Sequence, residues 1–145
     1  MQATKYRFHK LDPNDYKLHK VVEKVHKRCF PDDEVLSPKE GGFWWVVKLG
    51  TEVVGFCAMR QSTRWADTGY LWRSAVVKEH RGRGIQKRMI KIREKEARRQ
   101  GWIWLISDTN DNTTSANNLI KSGYTMYDPS WPYGVDTTCY WRKRL

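Results

Sequence analysis

Apolar residues recur along the chain with the two spacings that distinguish strands from helices. The runs Phe43 to Lys48 and Val53 to Arg60 are rich in apolar residues, and Leu49 to Glu52 between them contains Gly50. This pattern predicts a β-hairpin. A further strand is predicted at Tyr70 to Val77. The nearly continuous apolar run Trp102 to Ser107 predicts a strand buried on both faces.

Other segments show helical spacing. Asp12-Pro13 predicts a helix start, with Asp12 as N-cap and proline at the first helical position. We expect His19 and His26 on the solvated edge of this helix. A second helix is predicted from Ile85 to Gln100 and a short one from Asn112 to Ser122. The outer face of the second helix is predicted to be basic and to carry Lys87, Arg88, Lys91, Arg93, Lys95, Arg98 and Arg99.

The predicted elements follow the order β-α-α-β-β-β-α-β-α-β-β. Lys5 to His9 is the predicted first strand, and the closing strands fall at Tyr124 to Tyr127 and Thr137 to Arg142. This order indicates an α/β fold, an α+β layered arrangement with a mixed sheet. With 145 residues, the chain is expected to form a single domain over residues 1–145.

Composition narrows the class of protein. Hydrophobic residues make up 39% of the chain and include 8 Trp, which is too apolar for a disordered segment. The net charge of +11 favours a polyanionic partner, so a nucleic acid is one candidate. The three cysteines are widely spaced and the histidines show no metal-ligand pattern, so no metal site is expected. No apolar segment is long enough for a signal peptide or a membrane span, which predicts a cytoplasmic basic protein.

The segment Arg81-Gly82-Arg83-Gly84-Ile85-Gln86 joins a predicted strand to a predicted helix. Glycines let backbone N–H groups approach a ligand closely, and a helix N-terminus attracts negative charge. Together these features predict a site for phosphate groups.

With these residues the chain resembles the GNAT N-acetyltransferase superfamily. Arg81 to Gln86 fits the acyl-CoA signature Q/R-x-x-G-x-G/A in all but its last position. Gly50 to Phe56 resembles a hairpin of the family, and Asn112 to Tyr124 resembles its N-x-x-A-x-x-x-Y-x-x-x-G-F helix. The resemblance implies a mixed, mostly antiparallel sheet of six to seven strands. It also implies helices on both faces and strands that splay at the acyl-CoA site.

The resemblance also implies a set of residues that bind acetyl-CoA. Backbone N–H groups of the signature would hold the pyrophosphate. The backbones of Val76 and Val77 would pair with the pantetheine arm, and one of their amides would polarise the thioester carbonyl. Asn112 would hydrogen-bond the pantetheine. Some of Lys87, Arg88 and Lys121 would approach the 3′-phosphate or the adenine unless they are merely solvated charges.

Three family positions are filled differently in this chain. Gln86 stands where Gly or Ala is usual, so its side chain must turn away from the phosphates or hydrogen-bond one of them. Leu119 stands where many members carry the tyrosine that protonates the departing thiolate. Tyr70 lies about where some members place a catalytic glutamate. Neither the position of the acid nor that of the base therefore carries the residue that is usual in the family.

Acetyl transfer to an amine requires a base, because an alkylammonium with a reference pKa of about 10.4 must first lose a proton. Asp108 follows the predicted central strand and is the main candidate; alternatively, it only caps the next helix. Glu79 and Asp67 are weaker candidates. Tyr124 and Tyr127 could supply an acid, although the Gly-Tyr position is mostly core in this family.

The acceptor site is expected between an acidic loop and an aromatic loop. The acidic loop contains Asp32, Asp33 and Glu34, and the aromatic loop contains Trp131 and Tyr133. Together they would suit a cationic amine through ion pairing and cation–π contact, although Trp131 and Tyr133 could equally serve loop packing.

The sequence therefore predicts an acetyl-CoA-dependent N-acetyltransferase that acts on a primary amine by direct attack in a ternary complex, as a monomer or homodimer. The acceptor amine could be a small molecule or part of a protein. Two alternatives remain open at this point. One is a basic nucleic-acid-binding protein, and the other is an acetyltransferase whose target amine lies on a nucleic acid or on a protein bound to one.

Overall fold

A seven-stranded sheet runs through the part of the chain that the computed structural model describes, residues 5–145. Its strands, in chain order, are β1 Arg7–Lys10, β2 Phe43–Leu49, β3 Glu52–Gln61, β4 Thr68–Val76, β5 Trp104–Asn110, β6 Thr125–Met126 and β7 Thr138–Arg144. Their order across the sheet is β1-β2-β3-β4-β5-β7-β6. The mixed, mostly antiparallel sheet that the sequence predicts is therefore confirmed.

The pairing of β4 with β5 is parallel, whereas β1–β2, β2–β3, β5–β7 and β6–β7 pair antiparallel. The register of β4 with β5 runs from Thr68 opposite Trp104 to Tyr70 opposite Ile106. Beyond that point β4 continues to Val76 and β5 continues to Asn110. Parallel neighbours need a crossover connection, and a helix supplies it here.

The helices are α1 Tyr16–Cys29, α2 Ile85–Arg99 and α3 Thr113–Lys121. A capping box at Ser37 opens the 3₁₀ turn Pro38–Glu40. The predicted start of α1 at Asp12 is wrong. The N-cap is Asp15, whose side chain accepts a hydrogen bond from the Leu18 N–H, so the segment with Pro13 precedes the helix.

Two further expectations about helix faces are also wrong. His19 and His26, expected in solvent, are 2% and 0% exposed. Arg93, expected on the basic outer face of α2, is 3% exposed, and its Nε donates a hydrogen bond to the Met89 carbonyl. Spacing alone locates an apolar face to within about one position, so residues at its margin can turn either way.

The described residues form two compact units, and the single domain predicted from the length of the chain stays a prediction. The first unit comprises the residues up to Arg60 together with Trp72–Gln86. The second comprises Gln61–Leu71 and Lys87–Leu145. Strand β4 contributes residues to both units.

Each unit has a buried apolar core. In the first unit, Trp44 and Trp45 on β2 and Phe56 on β3 are nearly inaccessible to solvent. In the second, Met89 on α2 and Leu105 on β5 are fully buried. The tryptophans of β2 therefore pack in the core or against a sheet face, as large aromatic side chains on strands usually do.

A buried carboxylate lies within the core of the second unit. Glu94 on α2 is 6% exposed, and its Oε2 accepts a hydrogen bond from the Tyr124 hydroxyl at 2.8 Å. Lys143 Nζ lies 3.0 Å from the same oxygen and also donates to the Ser122 carbonyl. The three side chains join α2 to the segment after α3 and to β7.

Replacing Lys143 with methionine should destabilise the protein by about 2 kcal/mol, because it leaves the Glu94 carboxylate buried without its cation. The free energy of unfolding, measured by chemical denaturation at neutral pH, tests this. The matched control is Lys91→Met on the exposed face of α2, which should change stability by less than about 0.5 kcal/mol. Equal effects of the two substitutions would show that the Lys143–Glu94 pair contributes nothing.

Candidate active site

The loop between β4 and α2 has the backbone geometry of an anion site. Gly82 and Gly84 both have φ of +75°, a region that L-residues rarely adopt, and a Cβ at either position would meet no atom of the described residues within 4 Å. The loop therefore presents its backbone to open space. The first turn of α2 contains no acidic side chain. The first N–H groups of a helix lack intrahelical acceptors, so these donors suit a phosphate-bearing ligand.

Gln86, the departure from the family signature, has its side chain turned to the strand. Its Oε1 accepts a hydrogen bond of 3.0 Å from the Ser74 hydroxyl on β4. This contact settles how the long side chain is accommodated. The glutamine carbonyl is bonded to the Ser74 hydroxyl of the neighbouring strand.

Val76 and Val77, the two valines expected to face the pantetheine, differ in whether the backbone N–H is used within the sheet. The Val77 N–H donates to the Val54 carbonyl at 2.9 Å, so it is used within the sheet. In an antiparallel pair, residues that bond the neighbouring strand alternate with residues that face the other side. The Val76 amide therefore points to the opposite edge of β4, where the Val76 carbonyl accepts from Arg81 Nε at 2.9 Å.

One of the three acidic residues in the loop Asp32 to Glu34 forms an ion pair within the first unit. The Asp33 carboxylate lies 3.3 Å from the guanidinium of Arg73 on β4, and Asp32, Asp33 and Glu34 are all exposed. The same guanidinium contacts His26 Nε2 at 2.9 Å and lies over the Phe30 ring at 4.7 Å. Burial and the neighbouring Arg73 lower the pKa of His26 below its ordinary value, which favours the neutral imidazole.

Two predicted site residues of the second unit, both tyrosines, donate hydrogen bonds to the carboxylate of a third, Asp108. The Tyr70 hydroxyl on β4 donates to Asp108 Oδ2 on β5 at 2.7 Å, and the Tyr133 hydroxyl donates to the same oxygen at 2.9 Å. Asp108 is half-buried at this point. The two hydrogen bonds fix the orientation of the carboxylate, and none of the residues 5–145 donates a hydrogen bond to its second oxygen, Oδ1.

The alternative role for Asp108, as a helix cap, is excluded by this geometry. The N-cap of α3 is Asn112, whose side chain accepts from the Ser115 N–H at 3.0 Å. Asn112 thus has a structural role in addition to the pantetheine contact that the resemblance implies. Asp108 is held instead by the two tyrosines.

Tyr124 does not suit the role of an acid. It is 3% exposed, and its hydroxyl already donates to Glu94. Burial, followed by the nearby Glu94 carboxylate, raises the Tyr124 pKa far above its ordinary value. Leu119, in the family position of the acid, is also buried. Tyr124 is therefore a core residue, and neither position offers a proton to a ligand.

The remaining predicted residues lie on exposed segments. Lys121, at the end of α3, and the weaker base candidates Asp67 and Glu79 are exposed. Glu79 pairs with Arg28 at 2.7 Å. Trp131 is 63% exposed, so most of its surface faces solvent. Tyr133, by contrast, packs edge-on against Tyr140, with ring centroids 5.0 Å apart.

Sequence reasoning missed two contributors to these groups. Ser74 holds Gln86, and Arg73 holds Asp33. Both residues lie in a strand whose prediction rests on its apolar positions. A serine and an arginine interrupting the apolar pattern of β4 are the signal that could have found them.

The model of the acetyltransferase (GNAT) family matches residues 7–124 of the chain. Because this match covers most of the sequence, the chain belongs to the GNAT family, and it is an acetyltransferase by family. A comparison with curated proteins found no match. None of the described helices is long and apolar enough to cross a membrane.

Solved structures share the fold at low sequence identity. A Bacillus subtilis acetyltransferase in complex with CoA is 15% identical, with a TM-score of 0.72 over 97% of this chain and 99% of that one. The PaiA N-acetyltransferase of Thermoplasma acidophilum in complex with coenzyme A is 14% identical, with a TM-score of 0.70 over 97% and 99%. The NatC complex bound to Gag peptide and CoA contains a chain that is 17% identical, with a TM-score of 0.75 over 97% and 98%. The expected fold is confirmed.

The environment of Tyr133 predicts a measurable pH dependence. Burial, followed by the Asp108 carboxylate, raises the Tyr133 pKa well above the ordinary value of about 10. Replacing Asp108 with asparagine removes the negative charge, so the Tyr133 pKa should fall. NMR titration of ¹³C-labelled tyrosine, with the Tyr133 signal assigned by its loss in Tyr133→Phe, tests this: the wild-type Tyr133 signal should not titrate over the pH range in which the protein stays folded. A Tyr133 signal that titrates together with the exposed tyrosines would contradict the contact.

Proposed function

We propose that the protein transfers an acetyl group from acetyl-CoA to a primary amine by direct attack in a ternary complex. The observation that carries this proposal is the glycine loop at the start of α2, within a chain of the GNAT family. Acetyl-CoA supplies the activated acetyl group, and the chain's own residues bind the donor and take the proton from the acceptor.

Binding of the donor rests on the first unit. The positive φ angles of Gly82 and Gly84 shape the loop so that backbone N–H groups from Gly82 to Gln86 can hold a pyrophosphate at the N-terminus of α2. Arg83, exposed between the two glycines, adds positive charge. Ile85 is buried and anchors the first turn of the helix.

The Val76 amide is the donor best placed to polarise the thioester carbonyl. It faces the edge of β4 that is not bonded to β3, whereas the Val77 N–H is used by Val54. Asn112 and Lys121 are assigned to the pantetheine arm and to the 3′-phosphate end, respectively. An amide already fixed by the sheet can stabilise negative charge on a carbonyl oxygen without reorganisation.

The base belongs to the second unit. Asp108 Oδ1 accepts the proton of the acceptor ammonium, directly or through water, while the tyrosine hydroxyls hold Oδ2. Tyr70 and Tyr133 are positioning residues in this assignment. Solvent protonates the departing thiolate, since a thiol has a reference pKa of about 8.5 and needs no strong acid near neutral pH.

Two observations support an amine as acceptor. Asp32 and Glu34 are exposed acidic side chains in a chain of net charge +11, and Trp131 is an exposed aromatic side chain that can contact a cation. The alternative of a basic nucleic-acid-binding protein gains no support from the family match.

Calorimetric titration with acetyl-CoA, followed by assay of CoA release with a panel of amines, tests the proposal. The absence of acetyl-CoA binding would overturn it.

Asp108→Asn should lower kcat/KM for amine acetylation by about 100-fold or more near neutral pH, because a positioned base contributes about that much. The deficit should narrow as the pH approaches the reference amine pKa of about 10.4, where the acceptor loses its proton in solution. The exposed Asp136→Asn is the control and should retain the normal rate. Full activity of Asp108→Asn from about pH 6 to about pH 9 would exclude Asp108 as the base.

Gly84→Ala should weaken acetyl-CoA binding by about tenfold or more, because a φ of +75° costs an L-residue about 1–2 kcal/mol and displaces the loop backbone. The matched control is Gly101→Ala after the C-terminus of α2, at a φ of +77° and with the same open space around the added Cβ. Both variants should lose similar stability, but only Gly84→Ala should lose affinity in calorimetry. Equal affinities would refute the pyrophosphate loop.

A further inference from the structure

The glycine loop between β4 and α2 depends on its two ends for its conformation. The backbone N–H groups of Gly82, Arg83 and Gly84 donate to no backbone carbonyl among the residues 5–145. Such donors suit a phosphate group, but they do not hold the loop in place themselves. A ligand that had to order the loop on binding would lose part of its affinity to that ordering. The contacts at the two ends therefore bear directly on binding of the donor.

The exit from the loop is fixed by the start of α2. Ile85 is 3% exposed, so its buried side chain anchors the first turn of the helix. Gln86 Oε1 accepts a hydrogen bond from the Ser74 hydroxyl at 3.0 Å, which joins the same turn to β4. The exit thus has one buried and one hydrogen-bonded side chain.

The entry to the loop is the 3₁₀ turn Lys78–His80 (the entry turn), which has no side-chain cap at its N-terminus. Its backbone hydrogen bonds are local, since the His80 N–H donates to the Val77 carbonyl and the Arg81 N–H to the Lys78 carbonyl. The Arg81 side chain is also used locally, because its Nε donates to the Val76 carbonyl. These contacts shape the turn, but none of them reaches beyond the segment 76–81.

Two side-chain contacts tie the entry turn to distant residues, and the first of them is exposed. Glu79 pairs with Arg28 of α1 at 2.7 Å, and the two side chains are 61% and 55% exposed. An ion pair open to water contributes little, because solvent screens it and both long side chains lose freedom. This pair is therefore a weak anchor for the turn.

The second contact joins the entry turn to Tyr6, which precedes β1. The Tyr6 hydroxyl lies 2.8 Å from His80 Nδ1, and the two residues are 74 positions apart in the sequence. Their rings also meet edge to face, with centroids 5.7 Å apart. Tyr6 is 7% exposed and His80 is half-buried, so water competes less for this hydrogen bond than for the exposed ion pair. Tyr6 is thus the stronger anchor of the entry turn.

We propose that Tyr6 is a positioning residue for the donor. Through His80 it holds the entry turn, so that the glycine loop keeps the conformation that receives the pyrophosphate of acetyl-CoA. The inference rests on the proposed function, since it concerns the same donor site. Tyr6 precedes both the signature Arg81 to Gln86 and the segment 7–124 that the family model matches, so neither assigns it a role.

Tyr6→Phe keeps the ring and removes only the hydroxyl. The Kd and the KM for acetyl-CoA should rise about three- to tenfold, which is the effect of losing one hydrogen bond of ordinary strength. The kcat at saturating acetyl-CoA should stay unchanged, because the bound donor itself orders the loop. Tyr16→Phe is the matched control, since it makes the same change at a tyrosine that is 60% exposed, and it should leave both constants as they are.

A truncated donor separates positioning of the loop from a general structural effect. S-acetylpantetheine carries the thioester and the pantetheine arm but no pyrophosphate. Tyr6→Phe should therefore leave kcat/KM for S-acetylpantetheine unchanged while it lowers kcat/KM for acetyl-CoA. Equal losses with the two donors, or no loss with acetyl-CoA, would overturn the proposal.

Substitutions of His80 test whether Tyr6 acts through this residue. His80→Ala should weaken acetyl-CoA binding as much as Tyr6→Phe does, and the double variant should be no weaker than either single variant. Asparagine can offer an amide atom in place of Nδ1, and a tyrosine hydroxyl both donates and accepts, so His80→Asn should retain most of the affinity. Additive losses in the double variant would show that the two residues act separately, which contradicts the proposal.

Calorimetry distinguishes failure of this inference from failure of the proposed function. If the unsubstituted protein does not bind acetyl-CoA, the proposed function is overturned and the role of Tyr6 with it. If the unsubstituted protein and Tyr6→Phe bind acetyl-CoA with the same Kd, only the role of Tyr6 is overturned. A Kd that rises in Tyr6→Phe and not in Tyr16→Phe supports both.

Discussion

The parallel pairing of β4 with β5 is the constraint on which the rest of the fold depends. Parallel neighbours cannot be joined by a tight turn, so the chain must leave β4, cross over the sheet and return. The crossover helix α2 begins at Ile85, directly after the glycine loop. The same pairing sets Tyr70 opposite Ile106, which brings its hydroxyl within 2.7 Å of Asp108. One choice of strand direction thus creates both the loop and the tyrosine–carboxylate contact.

The sequence predicted the order of elements and the residues of the loop because both depend on local patterns. Glycine spacing and apolar periodicity act over a few residues, and the structure has positive φ at Gly82 and Gly84. The role of Asp108 could not be predicted in this way. Whether it caps a helix or meets Tyr133 depends on a loop 25 residues away in sequence, and only tertiary packing decides between the two.

The errors on helix faces have a related cause. His26 and Arg93 carry polar groups, so a pattern of charge assigns them to solvent. In the folded chain His26 stacks on Phe56, with ring centroids 6.0 Å apart, and Arg93 returns a hydrogen bond to its own helix. Long or aromatic polar side chains bury most of their atoms when a partner is present. Sequence alone does not reveal that partner.

The contact between Ser74 and Gln86 bears on how such enzymes diverge. A signature position that usually requires a small residue has here been taken by a long one, and a neighbouring strand supplies the hydroxyl that receives it. Positions 74 and 86 are therefore coupled, and a substitution at one changes which residues are acceptable at the other. Gln86→Ala, which restores the small residue usual at this position, would leave the Ser74 hydroxyl without this acceptor.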